Sequence, residues 1–258
     1  MIHFIGAGPG ALDLITVRGQ RLLREADVII YAGSLVNPAL LEEARPDCEI
    51  YNSAKMTLEE VLAVMRQAES SGKTTARLHT GDPSLYGAIR EQIDVLEKEG
   101  IAFDICPGVS SFCGAAAALN AEYTLPEVSQ SVVITRMAGR TGVPEKESIE
   151  SFAAHQATMV IFLSTGMLEE LSHRLVEGGY APDTPAAIVY KATWPDEKVI
   201  RCTVADLAES AAAEGITKTA LIVVGNILGD EYAKSKLYDA GFSTGYREAK
   251  KEQPEHSG

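Results

Sequence analysis

The stretch His79-Thr80-Gly81-Asp82-Pro83-Ser84-Leu85-Tyr86-Gly87 decides how the rest of the chain is read. It follows the short β-favouring run Thr75 to Leu78 and precedes a segment in which Ile89, Ile93, Val95 and Leu96 recur at helical spacing, ended by Gly100. A glycine-aspartate-proline turn at the carboxyl end of a strand leaves main-chain N–H and C=O groups without partners. In open α/β sheets such groups point into the crevice that binds ligands. The turn therefore marks a place for a small polar molecule. Asp82 or Ser84 could instead cap the next helix, whose first turn would then hold Leu85, Tyr86 and Gly87. The two readings are compatible, because neighbouring atoms of one turn can serve both.

Two further turns have the same construction. Near the amino terminus, the apolar run Ile2 to Ile5 leads into Gly6-Ala7-Gly8-Pro9-Gly10, and Thr16 to Glu25 follows with Val17, Leu22 and Leu23 at helical spacing. Farther on, the strand Phe103 to Ile105 runs into Cys106-Pro107-Gly108-Val109-Ser110-Ser111-Phe112 and the small-residue helix Gly114 to Leu119. Small side chains let a ligand approach the main chain, although an alanine-rich helix also packs closely on a sheet for purely structural reasons. Gly6, Gly8 and Ala11 formally satisfy the G-x-G-x-x-G/A pattern of flavin and nicotinamide dinucleotide binders. Pro9 removes a donor from the loop that would wrap a pyrophosphate. The second strand, Val28 to Tyr31, ends in Tyr31-Ala32-Gly33-Ser34, with no carboxylate to read a ribose hydroxyl.

The remaining segments alternate. Leu40 to Ala44 and Thr57 to Glu69 look helical, the latter with the core stripe Leu58, Val61, Leu62 and Met65, and Glu49 to Tyr51 is a strand. Thr124-Leu125-Pro126-Glu127-Val128 lacks periodicity and carries a helix breaker, which divides the chain into α/β domains at 1–123 and 124–229. The second half offers strands at Ser131 to Thr135, Thr158 to Leu163, Ala186 to Tyr190, Lys198 to Thr203 and Leu221 to Val224, with helices at Glu147 to Ala154 and Leu168 to Glu177. The extension 230–258 is polar, and from about Tyr246 its composition is that of a disordered tail.

Bulk properties narrow the function. The chain of 258 residues is 46% hydrophobic and 23% charged, with no apolar run long enough to span a bilayer and no basic leader, so a cytoplasmic protein is expected. Cys48, Cys106, Cys113 and Cys202 form no ligand-spaced pair, which points to reduced thiols and no metal site. A net charge of −13 argues against nucleic acid as the main partner. It also requires that a polyanionic substrate meet a locally basic cleft.

The three turns, in this order and ahead of a second α/β half, resemble those of the tetrapyrrole methylase family through Gly229. Tyr31-Ala32-Gly33-Ser34-Leu35-Val36, Thr135-Arg136 with Gly139-Arg140-Thr141, Val189 to Lys198, and Ser235-Lys236-Leu237-Tyr238 resemble its branch acting at C-11 of precorrin-4 or cobalt-precorrin-4. The resemblance implies two α/β domains holding S-adenosylmethionine in the cleft between them, in a mode unlike the Rossmann one, and a homodimer. By matching motif, Pro9, Gly81, Asp82, Leu85, Ser110 and Ser111 would border the cofactor. Leu163 and Ala192, where relatives carry methionine and glycine, would touch it through backbone or apolar atoms. Precorrins carry many carboxylates, so Arg136, Arg140 and Lys191 are the candidates for orienting the ring. The five histidines form no catalytic motif. His79 could touch the substrate or its cobalt, but a backbone hydrogen bond at the strand end is favoured. Methylation at another ring position, a flavin or nicotinamide oxidoreductase, and a non-catalytic tetrapyrrole carrier are the alternatives.

Overall fold

The computed structural model describes residues 1–249. The first half contains β1 (Ile2–Gly6), α1 (Val17–Glu25), β2 (Val28–Tyr31), β3 (Glu49–Asn52), α2 (Leu58–Ser70), β4 (Thr75–His79), α3 (Arg90–Glu99) and β5 (Phe103–Cys106). Its five strands are all parallel, in the order β3-β2-β4-β1-β5. A parallel sheet is covered on both faces, which is why these strands are continuous apolar runs. Ile2, Phe4, Val28 and Ile30 pack with Val61, Leu62 and Met65 of α2 and Leu96 of α3. Ile5, Ile29, Ala76 and Leu78 pack on the other face with Leu22 and Leu23 of α1. Local signals set the helix ends: the Thr16 hydroxyl accepts from the Gly19 N–H at 3.0 Å, and Thr57 and Glu60 form a reciprocal capping box.

The second half contains α4 (Ser111–Leu119), β6 (Val132–Arg136), α5 (Ile149–Ala153), β7 (Thr158–Phe162), α6 (Leu168–Glu177), β8 (Pro185–Tyr190), β9 (Lys198–Thr203), α7 (Leu207–Ala213) and β10 (Ala220–Val224). Its sheet runs β6-β7-β10-β8-β9; β6 and β7 are parallel and the other pairs antiparallel. Met159 and Ile161 of β7 face α5, α6 and α7, whereas Val160 and Phe162 face Ala115 and Leu119 of α4. Helix α4 follows the first sheet in sequence yet completes the core of the second, so the two halves are tied together beside the third glycine turn.

Three segments depart from the sequence expectation. The helix expected to start within Leu85–Gly87 starts at Arg90, because Tyr86 (φ 56°) and Ala88 (φ 49°) adopt left-handed conformations that interrupt a right-handed helix. Leu40–Ala44 lies in a 3-10 turn, Pro38–Glu43, started by Pro38 and the Asn37 side chain, which accepts from the Ala39 N–H. Helix α7 was not anticipated; it buries only Leu207 and Ala211, too few to leave a periodic stripe. Most of the tail expected to be disordered, 250–258, lies outside the described residues. Among the described residues no helix is long and apolar enough to cross a membrane.

Candidate functional site: a cleft between the two sheets

Strands β4, β1 and β5 are neighbours, so the turns that leave their carboxyl ends stand side by side. They interlock through main chain. Gly8 and Gly81 exchange backbone hydrogen bonds, Gly81 N–H to Gly8 at 2.8 Å and Gly8 N–H to Gly81 at 3.3 Å. A Cβ on Gly6 would lie 2.5 Å from Gly108 Cα and 2.6 Å from the Gly81 carbonyl oxygen, so no side chain fits there. Asp82 joins the second turn to the third: one carboxylate oxygen accepts from the Gly108 N–H at 2.8 Å, the other from the Ser84 N–H at 2.8 Å and from the Ser84 hydroxyl. Burial works against the charge of Asp82, but the hydrogen bonds from Ser84 and Gly108 outweigh it and hold the carboxyl below the usual range. The carboxylate thus serves as a clasp between turns, and the expected cap on α3 is absent.

The second half closes over the first turn with the loop 191–197. Trp194 Nε1 donates to the Pro9 carbonyl at 3.0 Å, and the Ala11 N–H donates to Thr193 Oγ1 at 3.0 Å. The Trp194 ring fills the space a side chain on Gly10 would need. From the other side Asn37 Nδ2 donates to the Gly10 carbonyl at 2.8 Å. The Ala7 and Gly8 N–H groups are therefore spent on pairing with His79 and Gly81, and Gly6 and Gly10 on close packing, which is not the open run of amides that a dinucleotide loop built on Gly6, Gly8 and Ala11 needs.

Between these elements lies an open cleft of about 930 Å³, the solvent at its mouth included. Pro9, Gly81, Asp82, Leu85, Ser110, Ser111, Leu163 and Ala192 all line it, and so does Lys191. Ser110, at the start of α4, does not turn its hydroxyl back to cap that helix, unlike Thr16 and Thr57 at theirs. Lys191 donates to Asp196 at 2.6 Å and sits 5.3 Å from the Trp194 ring and 5.4 Å from the Tyr190 ring. Its bond to Asp196 raises its pKa, so it remains an ammonium.

Arg136 and Arg140 are not part of the lining. Arg136, at the end of β6, donates to the carbonyls of Met137 (3.0 Å), Thr141 (3.2 Å) and Gly142 (2.7 Å), which folds the loop that exposes Arg140. Its charge nevertheless reaches the cleft, where it opposes the upward push of burial on the Tyr86 phenol. Lining residues not picked out from sequence include Leu35, Thr80, Tyr86, Phe162, Thr165 and Trp194. Trp194, the only tryptophan of the chain, stands within Val189 to Lys198, and that segment is its readable signal.

His79 requires a correction. Its imidazole lies on Phe4, centroids 6.2 Å apart, outside the lining of the cleft, and its Nε2 has neither a backbone partner nor any other among the described residues. Burial, with Arg77 nearby, pushes it down to about 3 and keeps it neutral. Arg77 is itself buried, with its guanidinium held by Gln92 Oε1 and the Ile30 carbonyl, both at 3.1 Å. Among the described residues no group of three His, Cys, Asp or Glu side chains could hold a metal ion.

A two-sheet α/β protein with a small-molecule cleft walled by glycine turns on one side and a strand-connecting loop on the other is the class these features define. The chain belongs to the tetrapyrrole (corrin/porphyrin) methylases, whose family model matches residues 1–208. A cobalt-precorrin-4 C(11)-methyltransferase of Methanocaldococcus jannaschii is 56% identical over 97% of this chain and 97% of its own length. The enzyme of that name from Priestia megaterium is 44% identical over 98% of this chain and 99% of its own. Among solved structures, an X-ray structure of a cobalt precorrin-4 methyltransferase, described as a cobalamin biosynthetic enzyme, superposes with a TM-score of 0.87 at 45% identity. It covers 89% of this chain and 96% of the solved one. Uroporphyrin-III C-methyltransferase of Thermus thermophilus, solved with S-adenosylhomocysteine, gives a TM-score of 0.72 at 25% identity over 88% and 93% of the two chains.

Proposed function

We propose that this protein transfers the methyl group of S-adenosylmethionine to C-11 of a precorrin-4-type macrocycle, with or without cobalt, in cobalamin biosynthesis. The observation that carries the reading is the 56% identity, across 97% of the chain, with a relative named for that reaction. The chemistry of the cleft supports it. Gly81 admits a ligand to the main chain, Ser110 and Ser111 offer hydroxyls, and Pro9, Leu85 and Ala192 offer apolar surface to a nucleoside. These residues would hold the donor, which brings a methyl group already activated by its sulfonium.

The chain's own contribution is then alignment and exclusion of water. Asp82 is held ionised and already occupied, Lys191 is held as an ammonium by Asp196, and the Tyr86 phenol is pushed up by burial. None of these is a base poised near neutral pH, which suits attack of a nucleophilic ring carbon on an activated methyl, with S-adenosylhomocysteine leaving and the proton that the macrocycle then gives up passing to solvent. Fixing two reactants in line and in contact accounts for roughly 7–11 kcal/mol of a barrier. Lys191 in the cleft lining and Arg136, whose charge reaches it, would supply the positive charge that peripheral carboxylates require, with Arg140 on the same loop as Arg136 the further candidate. The family resemblance extends the reading to a homodimer in the cytoplasm, the first of which light scattering on the purified protein tests.

Incubation with methyl-labelled S-adenosylmethionine and enzymatically prepared precorrin-4 or cobalt-precorrin-4 tests the function directly. The reading expects one label per macrocycle, at C-11 by NMR. Label at another carbon would reassign the position, and binding without transfer would make the protein a carrier.

A further inference from the structure

Tyr86 has no role in the donor site as described above. Its backbone lies in the left-handed region (φ 56°), an unfavourable place for an aromatic residue that persists where surroundings impose it and that concentrates at ligand sites. The imposing contacts are visible. Ala88 is also left-handed (φ 49°), and Gly87 packs so closely on Pro83 that a Cβ would lie 3.0 Å from the Pro83 carbonyl carbon. This geometry sends the Tyr86 ring across the boundary between the halves onto Phe162, at the end of β7, with centroids 5.4 Å apart and planes tilted by 47°. Tyr86 as a residue is nevertheless 44% exposed.

Exposed apolar surface gathers around it. Leu35 (44% exposed) and Leu163 (63%) line the same cleft, and Leu163 is likewise left-handed, with φ 53°. Backbone strain spent on holding apolar side chains in water makes sense where a ligand covers them. The donor subsite proposed above takes Gly81, Ser110, Ser111, Pro9, Leu85 and Ala192, which leaves the apolar surface of Tyr86 and Leu35 in the same cleft for a second ligand. A tetrapyrrole has the matching form, a broad apolar face ringed by carboxylates, and Arg136 and Glu147 are the charged groups that the Tyr86 hydroxyl senses.

We propose that Tyr86 is a substrate-contacting residue: its half-exposed aromatic side chain is the apolar wall against which the macrocycle lies, extended by Leu35. The inference rests on the functional reading above and deepens it, because ring stacking is geometrically selective and fixes the tilt of the acceptor relative to the donor.

The test uses Trp194, the single tryptophan, which lines the same cleft and whose emission reports an absorbing macrocycle beside it. Tyr86→Gly accepts the left-handed backbone, and Tyr86→Phe keeps the ring. Each is titrated with enzymatically prepared precorrin-4 and cobalt-precorrin-4 by Trp194 quenching, and with S-adenosylhomocysteine by calorimetry. The proposal expects Tyr86→Gly to weaken the macrocycle at least tenfold with the homocysteine Kd within twofold of wild type, and Tyr86→Phe to restore macrocycle affinity. Unchanged macrocycle affinity in Tyr86→Gly overturns it, as does equal loss of both ligands, which would make Tyr86 a shaper of the turn only. Failure of phenylalanine to rescue overturns the ring contact. If wild type binds neither macrocycle, the functional reading itself fails, which the other outcomes do not imply.

Discussion

Replacing Asp82 with alanine removes the clasp between the second and third glycine turns, and the structure sets the size of the effect. The Gly108 N–H, half-buried in a place where Gly6, Gly81 and Gly108 touch main chain to main chain, loses a charged acceptor 2.8 Å away. Such a bond contributes about 1.5–3 kcal/mol when the orphaned donor stays sequestered. The Ser84 N–H is exposed and turns to water, so its loss adds only ~0.5 kcal/mol. The total, roughly 2–3.5 kcal/mol, acts on the local order of the turns that wall the cleft, and at 1.4 kcal/mol per tenfold it predicts donor-site affinity weaker by about 30- to 300-fold. Calorimetry with S-adenosylhomocysteine reads this directly, with circular dichroism to show that the fold persists. A Kd within twofold of wild type would refute the assignment of Asp82 as the clasp. A pH series adds a check on sign. The folded-state pKa of Asp82 is depressed, so its stabilisation is fully present above the unfolded value of about 3.9 and is lost as pH falls through the lower folded value. The gap between wild type and variant should therefore narrow toward acid pH, and a gap that widens would contradict the account.

Gly108→Ala should also disrupt the turns, since its Cβ would sit 2.7 Å from Gly6 Cα and closer still to the Gly81 carbonyl oxygen, where only backbone can yield. An overpacking cost of about 1–3 kcal/mol or more is expected in thermal unfolding, together with loss of homocysteine binding. Arg136→Ala releases the loop that it ties through three carbonyls. Macrocycle affinity should fall at least fivefold while the homocysteine Kd stays within twofold, and equal loss of both would remove Arg136 from the substrate side. His79→Phe tests the buried imidazole. With a folded-state pKa lowered from 6.5 to about 3, wild type should lose stability as pH falls across that interval, because the unfolded chain takes up a proton that the folded one refuses. The variant should show a flatter acid limb in urea unfolding, and an unchanged slope would mean that His79 is not the group responsible.

Much of this architecture was legible because parallel strands and glycine turns leave strong local signatures. The runs at Ile2, Thr75 and Phe103, each followed by a turn of small residues, became β1, β4 and β5, and their adjacency in the sheet assembled one wall of the cleft. What could not be read was direction and partnership. Asp82 has the residue type and position of a helix cap, but whether its carboxylate turns to α3 or to Gly108 depends on a strand distant in sequence. Arg136 offers the same lesson: composition marks a cation, and only the folded loop shows that its donors are engaged with main-chain carbonyls. Tyr86 was hidden in its turn for a related reason, since a left-handed tyrosine has no sequence signature. Helix α4 carried the opposite ambiguity, an alanine run suited equally to a ligand or to sheet packing. It serves both places, packing Ala115 and Leu119 into the second sheet while its first residue, Ser111, borders the cleft.

The central claim is that the methyl donor is seated between the sheets by main chain and small side chains. A crystal structure of the protein grown with saturating S-adenosylhomocysteine tests it most directly. The account predicts the nucleoside lodged between the Gly81-Asp82 turn, Ser110 and Ala192, with backbone atoms providing most of its polar contacts. A cleft left empty under those conditions, or a nucleoside bound on another face of the molecule, would contradict it.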